Sequence, residues 1–183
     1  MDRVRLSKRL AYVLRHDPGS VGLTLDPAGW VGVDDLLTAL AAHGTVVSRR
    51  ELDRLVASSD KQRFSYNDRG TRIRANQGHS TPVDLGYAPS APPPVLFHGT
   101  PVRNLPAISA AGLRPGGRHA VHLSPDVATA RRVGRRRGRS AVLQIDAAAL
   151  HADGTEFTRS PNGVWLVAAV PPAYLTVLSS DGP

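Results

Sequence analysis

Cysteine is absent from this chain, which excludes disulfides, thiolate nucleophiles and cysteine-based zinc sites together. Lysine is nearly absent: Lys8 and Lys61 stand alone, so the Lys+Arg total of 23 is almost wholly arginine. Aromatic residues make up only 5%, so any core must be aliphatic. No stretch approaches the roughly 18 consecutive apolar residues of a membrane-spanning helix. The opening "MDRVRLSKRL" has no apolar signal region, so secretion is not expected and the chain reads as cytoplasmic. Also missing are GxGxxG, the Walker loop, HExxH and GxSxG.

What is present is basic. Lys+Arg 23 against Asp+Glu 15 leaves a net charge of +8 on 183 residues, and the arginine fork suits bidentate recognition of phosphate. This balance points to an anionic partner, nucleic acid or nucleotide, rather than a neutral metabolite. A hydrophobic fraction of 41% fills one mid-sized domain or two small ones.

The pattern along the chain predicts two lobes. "LSKRLAYVLRH" puts Leu6, Leu10, Val13 and Leu14 on one helical stripe, with Ser7 as a candidate cap and Pro18–Gly19 as the stop. "VDDLLTALAAHG" reads as a second helix, with Asp34 capping, Leu36, Leu37 and Leu40 inward, and Gly44 at the exit. A third begins at Ser48, with Glu51 at capping-box spacing and Leu52, Leu55 and Val56 forming its apolar face. "RFSYNDRGTRIRA" reads as two strands about an Asn67–Gly70 turn. Three short helices and a hairpin predict a winged-helix-like lobe over residues 1–79.

Five prolines between Ser80 and Pro94 predict a semi-stiff connector without regular structure. Over 95–183, "VLFHGT", "AVHLS", "SAVLQI", "GVWLVAAV" and "YLTVLS" read as strands. "DVATARRVGRRRG" reads as an amphipathic helix, whereas Pro106 counts against a full helix over Leu105–Ala111. The whole is α+β with a small split sheet in the second lobe, and the default binding site is a cleft between the lobes.

Several residues are candidates for chemistry. Arg15 and His16, in "LRHDP", stand together where the first helix runs out. Cations sit comfortably at a helix C-terminus, and the same pair could hold an anion. In "VLFHGT", His98, Gly99 and Thr100 place an imidazole, an open backbone and a hydroxyl at the end of a strand, where Gly99 permits close approach of a ligand. His119 and His122 lie three apart, but no carboxylate accompanies them at ligand spacing, so no metal is expected. Arg63 precedes a strand directly; Arg72, Arg74, Arg118 and the run from Gly134 to Arg139 complete the arginine set. Trp30 and Trp165 read as packing residues.

Seven ordered motifs, "LSKRLAYVLRHDPGSVGLTLDPAGWVGVDDLL", "SDKQRFSY", "TRIRANQGHS", "LFHGT", "GLRPGGRHAVHLS", "VGRRRG" and "NGVWLVAAVPPAYL", together resemble the RNA 2′-phosphotransferase family, the KptA-like enzymes of tRNA splicing. The resemblance covers nearly the whole chain. It implies an N-terminal winged-helix-like lobe and a C-terminal ADP-ribosyltransferase-type lobe with a split β-sheet. It also implies removal of an internal 2′-monophosphate from RNA with consumption of NAD⁺ as co-substrate. The 2′-phosphate attacks the nicotinamide ribose and releases nicotinamide; the ribose 2″-hydroxyl then attacks that phosphate. Free 2′-OH RNA and ADP-ribose 1″,2″-cyclic phosphate result.

By the same resemblance, Arg15, His16, Arg63 and Arg118 form the catalytic set. His98, Gly99, Thr100, His122, Ser124 and Val164 form the NAD side. Arg74 and Arg136 are weaker contacts to RNA or phosphate, with Arg136 a rival to Arg118. His16 is either a phosphate donor or a proton shuttle. No acid stands near Val164, where protein-modifying relatives of the fold carry a glutamate; an ionised phosphate needs no such base. Departures from the family pattern are Ala120, Thr158 and "RRGRS" at 136–140, which bear on substrate preference. The alternatives are an ADP-ribosyltransferase acting on terminal nucleic-acid phosphates, and a nucleic-acid-binding module without catalysis. No assembly motif is visible, so a monomer is expected.

Overall fold

Leu6, Leu10, Val13 and Leu14 recur at helical spacing, and in the computed structural model they are the buried stripe of α1 (Arg3–Arg15). The structure describes residues 2–58, 62–135 and 138–180. Asp2, not Ser7, caps α1 by accepting from the Val4 amide at 3.4 Å; Ser7 lies inside the helix. α2 (Val33–Ala42) starts one residue ahead of Asp34: Gly32 is its N-cap and no side chain bonds there. Asp34 and Asp35 instead sit in its first turn, where their charge faces the helix dipole. Leu36 and Leu40 are buried and Leu37 packs partly against the same core.

α3 (Arg49–Ala57) carries a complete capping box. The Ser48 hydroxyl accepts from the Glu51 amide, while the Glu51 carboxylate accepts from the Ser48 amide at 2.8 Å. β1 (Val31–Gly32), β2 (Phe64–Tyr66) and β3 (Arg72–Ala75) form an antiparallel sheet in the order β1-β3-β2. The Gly70 amide closes the hairpin turn on the Asn67 carbonyl at 2.8 Å. Phe64 and Ile73 point from this sheet into the core made by α1, α2 and α3.

The proline-rich stretch takes no helix or strand, but it is not a free connector. Its beginning is strapped to the first unit: the Ser80 amide donates to the Arg15 carbonyl at 2.9 Å, and the Asp84 amide to the Pro27 carbonyl at 2.8 Å. Its end belongs to the second unit, where the Ser90 amide donates to the Phe157 carbonyl at 2.8 Å and Pro94 accepts from Ala147 at 3.0 Å. The chain divides into two compact units between Gly86 and Tyr87.

The second unit holds two three-stranded antiparallel sheets. β4 (Val95–Pro101), β6 (Ser140–Asp146) and β9 (Leu175–Ser180) make one, with β6 central; β5 (Val121–Leu123), β8 (Trp165–Val167) and β7 (Phe157–Arg159) make the other, with β8 central. An isolated bridge, Phe97 with Ser124, links β4 to the residue after β5 through two backbone bonds of 2.9 and 2.7 Å. Among the described residues the unit also holds the α-helices α4 (Leu105–Ala111), α5 (Val127–Gly134) and α6 (Ala147–Ala152). Pro106 does not prevent α4, because it lies in the first turn, where an amide would have no helical partner. Leu96, Leu123, Leu143, Ile145 and Phe157 are the centre of this second core. The fold is therefore mixed, α+β, with small antiparallel sheets. Among the described residues no helix is long and apolar enough to cross a membrane.

Candidate functional site

Arg15 is the last residue of α1 and His16 is its C-cap. The helix exit is fixed by Asp17, whose carboxylate accepts from the Tyr12 hydroxyl and the Ser20 amide, both at 3.0 Å. The chain that returns at residues 78–81 closes over this end. The Arg15 guanidinium lies against Gly78, where an added Cβ would stand 3.6 Å from Nη1, and its Nε and Nη2 are shielded from solvent. Ser80 then takes hold of both residues: its amide donates to the Arg15 carbonyl and its hydroxyl lies 2.9 Å from Nδ1 of His16. Sequence reading missed Ser80, which stands 64 residues from its partner.

Arg63 is anchored to the same helix, donating from Nη1 to the Ser7 hydroxyl at 3.2 Å. Ser7 is thus the support of a candidate arginine rather than a cap. The backbone before Arg63 is held as well: Gln62 has φ 36°, in the left-handed region, and Asn76 Nδ2 donates to its carbonyl at 2.6 Å. The Asn76 amide meets the Arg63 carbonyl at 2.9 Å, prolonging the β2–β3 pairing. So Arg15, His16 and Arg63 are all fixed to α1 or its end. Arg74 is differently employed. Its guanidinium stacks 4.5 Å over the Trp30 ring and donates to the carbonyls of Ala28 and Leu85 at 3.2 and 3.0 Å.

In the second unit, His98 lies inside β4 rather than at its end, because the strand continues to Pro101. Its Nδ1 lies 3.0 Å from the His122 carbonyl. A carbonyl only accepts, so Nδ1 carries the proton. Burial pushes the His98 pKa down, and the positive charge of Arg118 adds to this against the carbonyl bond. The ring is therefore neutral with an acceptor at Nε2. His122 repeats the arrangement, with Nδ1 at 3.0 Å from the Ala120 carbonyl. Two imidazoles on adjoining strands are thus oriented through Nδ1.

Gly99 has a packing reason. A Cβ there would stand 1.7 Å from the Ala130 carbonyl oxygen and 2.9 Å from the Gly134 amide. α5 crosses β4 at this point, so the direction that a side chain would take from residue 99 is filled by backbone. Thr100 is buried, 3% exposed, and accepts from Asn104 Nδ2 at 3.1 Å. Ser124 is the bridge residue already described. Continuing the Leu123–Trp165 pairing by one residue puts Val164 level with Ser124. The Val164 backbone is held by Ser160, whose hydroxyl donates to its carbonyl at 3.0 Å. The second unit therefore brings His98, His122, Ser124 and Val164 to one sheet junction, and Arg118, exposed on the turn before β5, is near enough to act on the His98 charge. Arg136 lies outside the described residues. Among the described residues no three His, Asp or Glu side chains form a metal-sized group.

The family model for RNA 2′-phosphotransferase, Tpt1 / KptA family, matches residues 1–169. A protein of Streptomyces coelicolor named "Probable RNA 2′-phosphotransferase" is 56% identical over 172 residues, covering 94% of this chain and 93% of its own. Proteins of the same name are 54% identical in Agrobacterium fabrum, over 93% of this chain and 92% of that one, and 49% identical in Trichormus variabilis, over 97% of each. An arginine–histidine pair clamped at a helix end, a second anchored arginine and a pair of oriented imidazoles are thus features of a chain that belongs to the RNA 2′-phosphotransferase, Tpt1 / KptA, family of transferase enzymes.

Proposed function

We propose that this protein removes an internal 2′-monophosphate from RNA, of the kind left at a tRNA splice junction, in a reaction that consumes NAD⁺. The observation that carries the reading is the family match over nearly the whole chain, together with two separate sets of polar groups suited to its two substrates. In this reading the first unit is a winged-helix-like RNA lobe. The second is an ADP-ribosyltransferase-type lobe.

The residues of the second unit fit NAD⁺ on chemical grounds. A ribose presents hydroxyl donors, and His98 offers an acceptor at Nε2 because its Nδ1 proton is committed to the His122 carbonyl. His122 offers the same atom when neutral. Ser124 and Val164 stand level with each other beside the β4–β5 bridge, and with Gly99 and Thr100 of β4 they complete the NAD⁺ side of this reading. When bound, NAD⁺ supplies the ribose carbon that accepts the 2′-phosphate. Nicotinamide leaves, and the phosphate departs as ADP-ribose 1″,2″-cyclic phosphate by way of 2′-phospho-ADP-ribosylated RNA.

The chain's own residues hold and neutralise phosphate. Arg15 and Arg63 supply held forks to a dianion whose charge redistributes in both steps, which is where preset donors contribute most; Arg118 joins this set by the family resemblance alone. Anchoring of Arg15 by residues 78–81 and of Arg63 by Ser7 removes much of the entropy cost of ordering two long side chains. His16, exposed at the helix end, donates to the phosphate or carries the proton of the attacking hydroxyl.

The test is a short RNA with one internal 2′-phosphate, incubated with and without NAD⁺ and followed by mass. NAD-dependent loss of the phosphate from RNA is the expected result. A stable ADP-ribosyl adduct favours instead a transferase that stops after its first step. No change in either incubation defeats the reading.

A further inference from the structure

Ser80 stands outside every group of residues assigned so far, yet it is the point where two of them meet. Its amide bonds to the carbonyl of Arg15 at 2.9 Å, and its hydroxyl lies 2.9 Å from Nδ1 of His16. Thr81 reinforces the first contact, with its amide and hydroxyl both 3.3 Å from the same carbonyl. Two residues earlier, Gly78 has φ 87° and passes directly beneath the Arg15 guanidinium. Helix ends ordinarily leave their last carbonyls to water or to a local turn. Here a segment more than sixty residues away supplies the partner, and the same residue reaches the adjoining imidazole.

We propose that Ser80 is a positioning residue for catalysis, its hydroxyl holding the His16 ring through Nδ1 so that Nε2 is the atom presented to the RNA phosphate. The inference rests on the functional reading given above. A histidine next to a helix end, exposed and without such a bond, would sample several rotamers and both ring faces. Fixing one ring nitrogen selects a rotamer and sets the direction in which the other nitrogen points, as partner bonds do for catalytic and metal-bound histidines elsewhere. The backbone bond to Arg15 makes the arrangement joint: displacement of segment 78–81 moves the arginine and the histidine together. Ser80 itself need never touch the substrate.

Ser80→Ala removes the hydroxyl and keeps the backbone bond to Arg15, so the clamp survives while the imidazole loses its bond at Nδ1. In steady-state assays on 2′-phosphorylated RNA, kcat for this variant is expected to fall about tenfold or more, the usual scale of lost orientation, with KM for RNA changed less than about twofold. Ser80→Thr keeps a hydroxyl and restores kcat to within about threefold. In ¹⁵N spectra of the folded protein, the His16 Nδ1 resonance moves in Ser80→Ala and returns toward its original place in Ser80→Thr. An unchanged kcat in Ser80→Ala, or an Nδ1 resonance that does not move, overturns the positioning role. An inactive wild-type protein overturns the functional reading beneath it, a result that the resonance does not depend on.

Discussion

Gly99 and His98 are neighbours on β4 with different reasons for being there. The direction a side chain at 99 would take is blocked by the backbone of α5, while the His98 ring bonds to the His122 carbonyl on the adjoining strand. Gly99→Ala is therefore a packing lesion. It is expected to destabilise the fold by about 2–3 kcal/mol, visible as a lower unfolding temperature; a fully stable variant that loses only NAD⁺ binding would contradict this. His98 makes a pH prediction. Its folded-state pKa lies below the ordinary value of 6.5, so between the two values the unfolded chain binds more protons and stability rises with pH. Stability is complete above about 6.5 and is lost as pH falls through the folded value. His98→Gln, which cannot titrate there, should show a flatter stability profile below pH 6.5 in urea unfolding; parallel profiles would defeat the assignment. Arg15 makes a chemical one: Arg15→Lys keeps the charge but not the fork, and kcat/KM for 2′-phosphorylated RNA should drop about 100-fold.

At the scale of elements, what could be read from the sequence followed the length of the pattern. α1, α2 and α3 carry apolar stripes over two turns or more, and the Ser48–Glu51 spacing marked the start of α3 correctly. Ser48→Ala should accordingly cost about 1 kcal/mol, measurable by denaturant unfolding. β1 with two residues, β7 with three and α6 with six left no periodicity to detect. Helix starts were harder. Arg3, Val4 and Arg5 show no apolar rhythm, so α1 begins before its stripe does, and Pro106 argued against a helix whose first turn it occupies. The candidate site divides in the same way. Arg15, His16, Arg63, His98 and His122 were legible as residue types in motifs, but what holds them was not. Ser80, Ser7 and the two carbonyls beside the histidines are tertiary partners that only chain closure brings near. Arg74, a candidate phosphate contact by type, also ties Trp30 and Leu85 into the first unit, a role its type did not reveal. Arg74→Met is expected to lower the unfolding temperature, as thermal denaturation would show, because it loses the Trp30 stack and two backbone bonds.

At the scale of the molecule, two units each own a core, and in the proposed reading each carries groups suited to one of the two substrates. An excess of arginine gives the chain a net +8, which draws any polyanion at low salt and so says little about which one. Selectivity has to come from the fixed groups. If NAD⁺ is held by the second unit, saturating NAD⁺ raises the unfolding temperature by mass action. That rise should vanish in His122→Ala and persist in Arg15→Ala. The central claim is that the RNA phosphate itself is transferred, and one label decides it. RNA carrying ³²P only in an internal 2′-phosphate is incubated with the protein and NAD⁺, and the label is followed. The account predicts that it leaves the RNA as ADP-ribose 1″,2″-cyclic phosphate and stays on the RNA when NAD⁺ is withheld. Label released as inorganic phosphate, or released without NAD⁺, would contradict it.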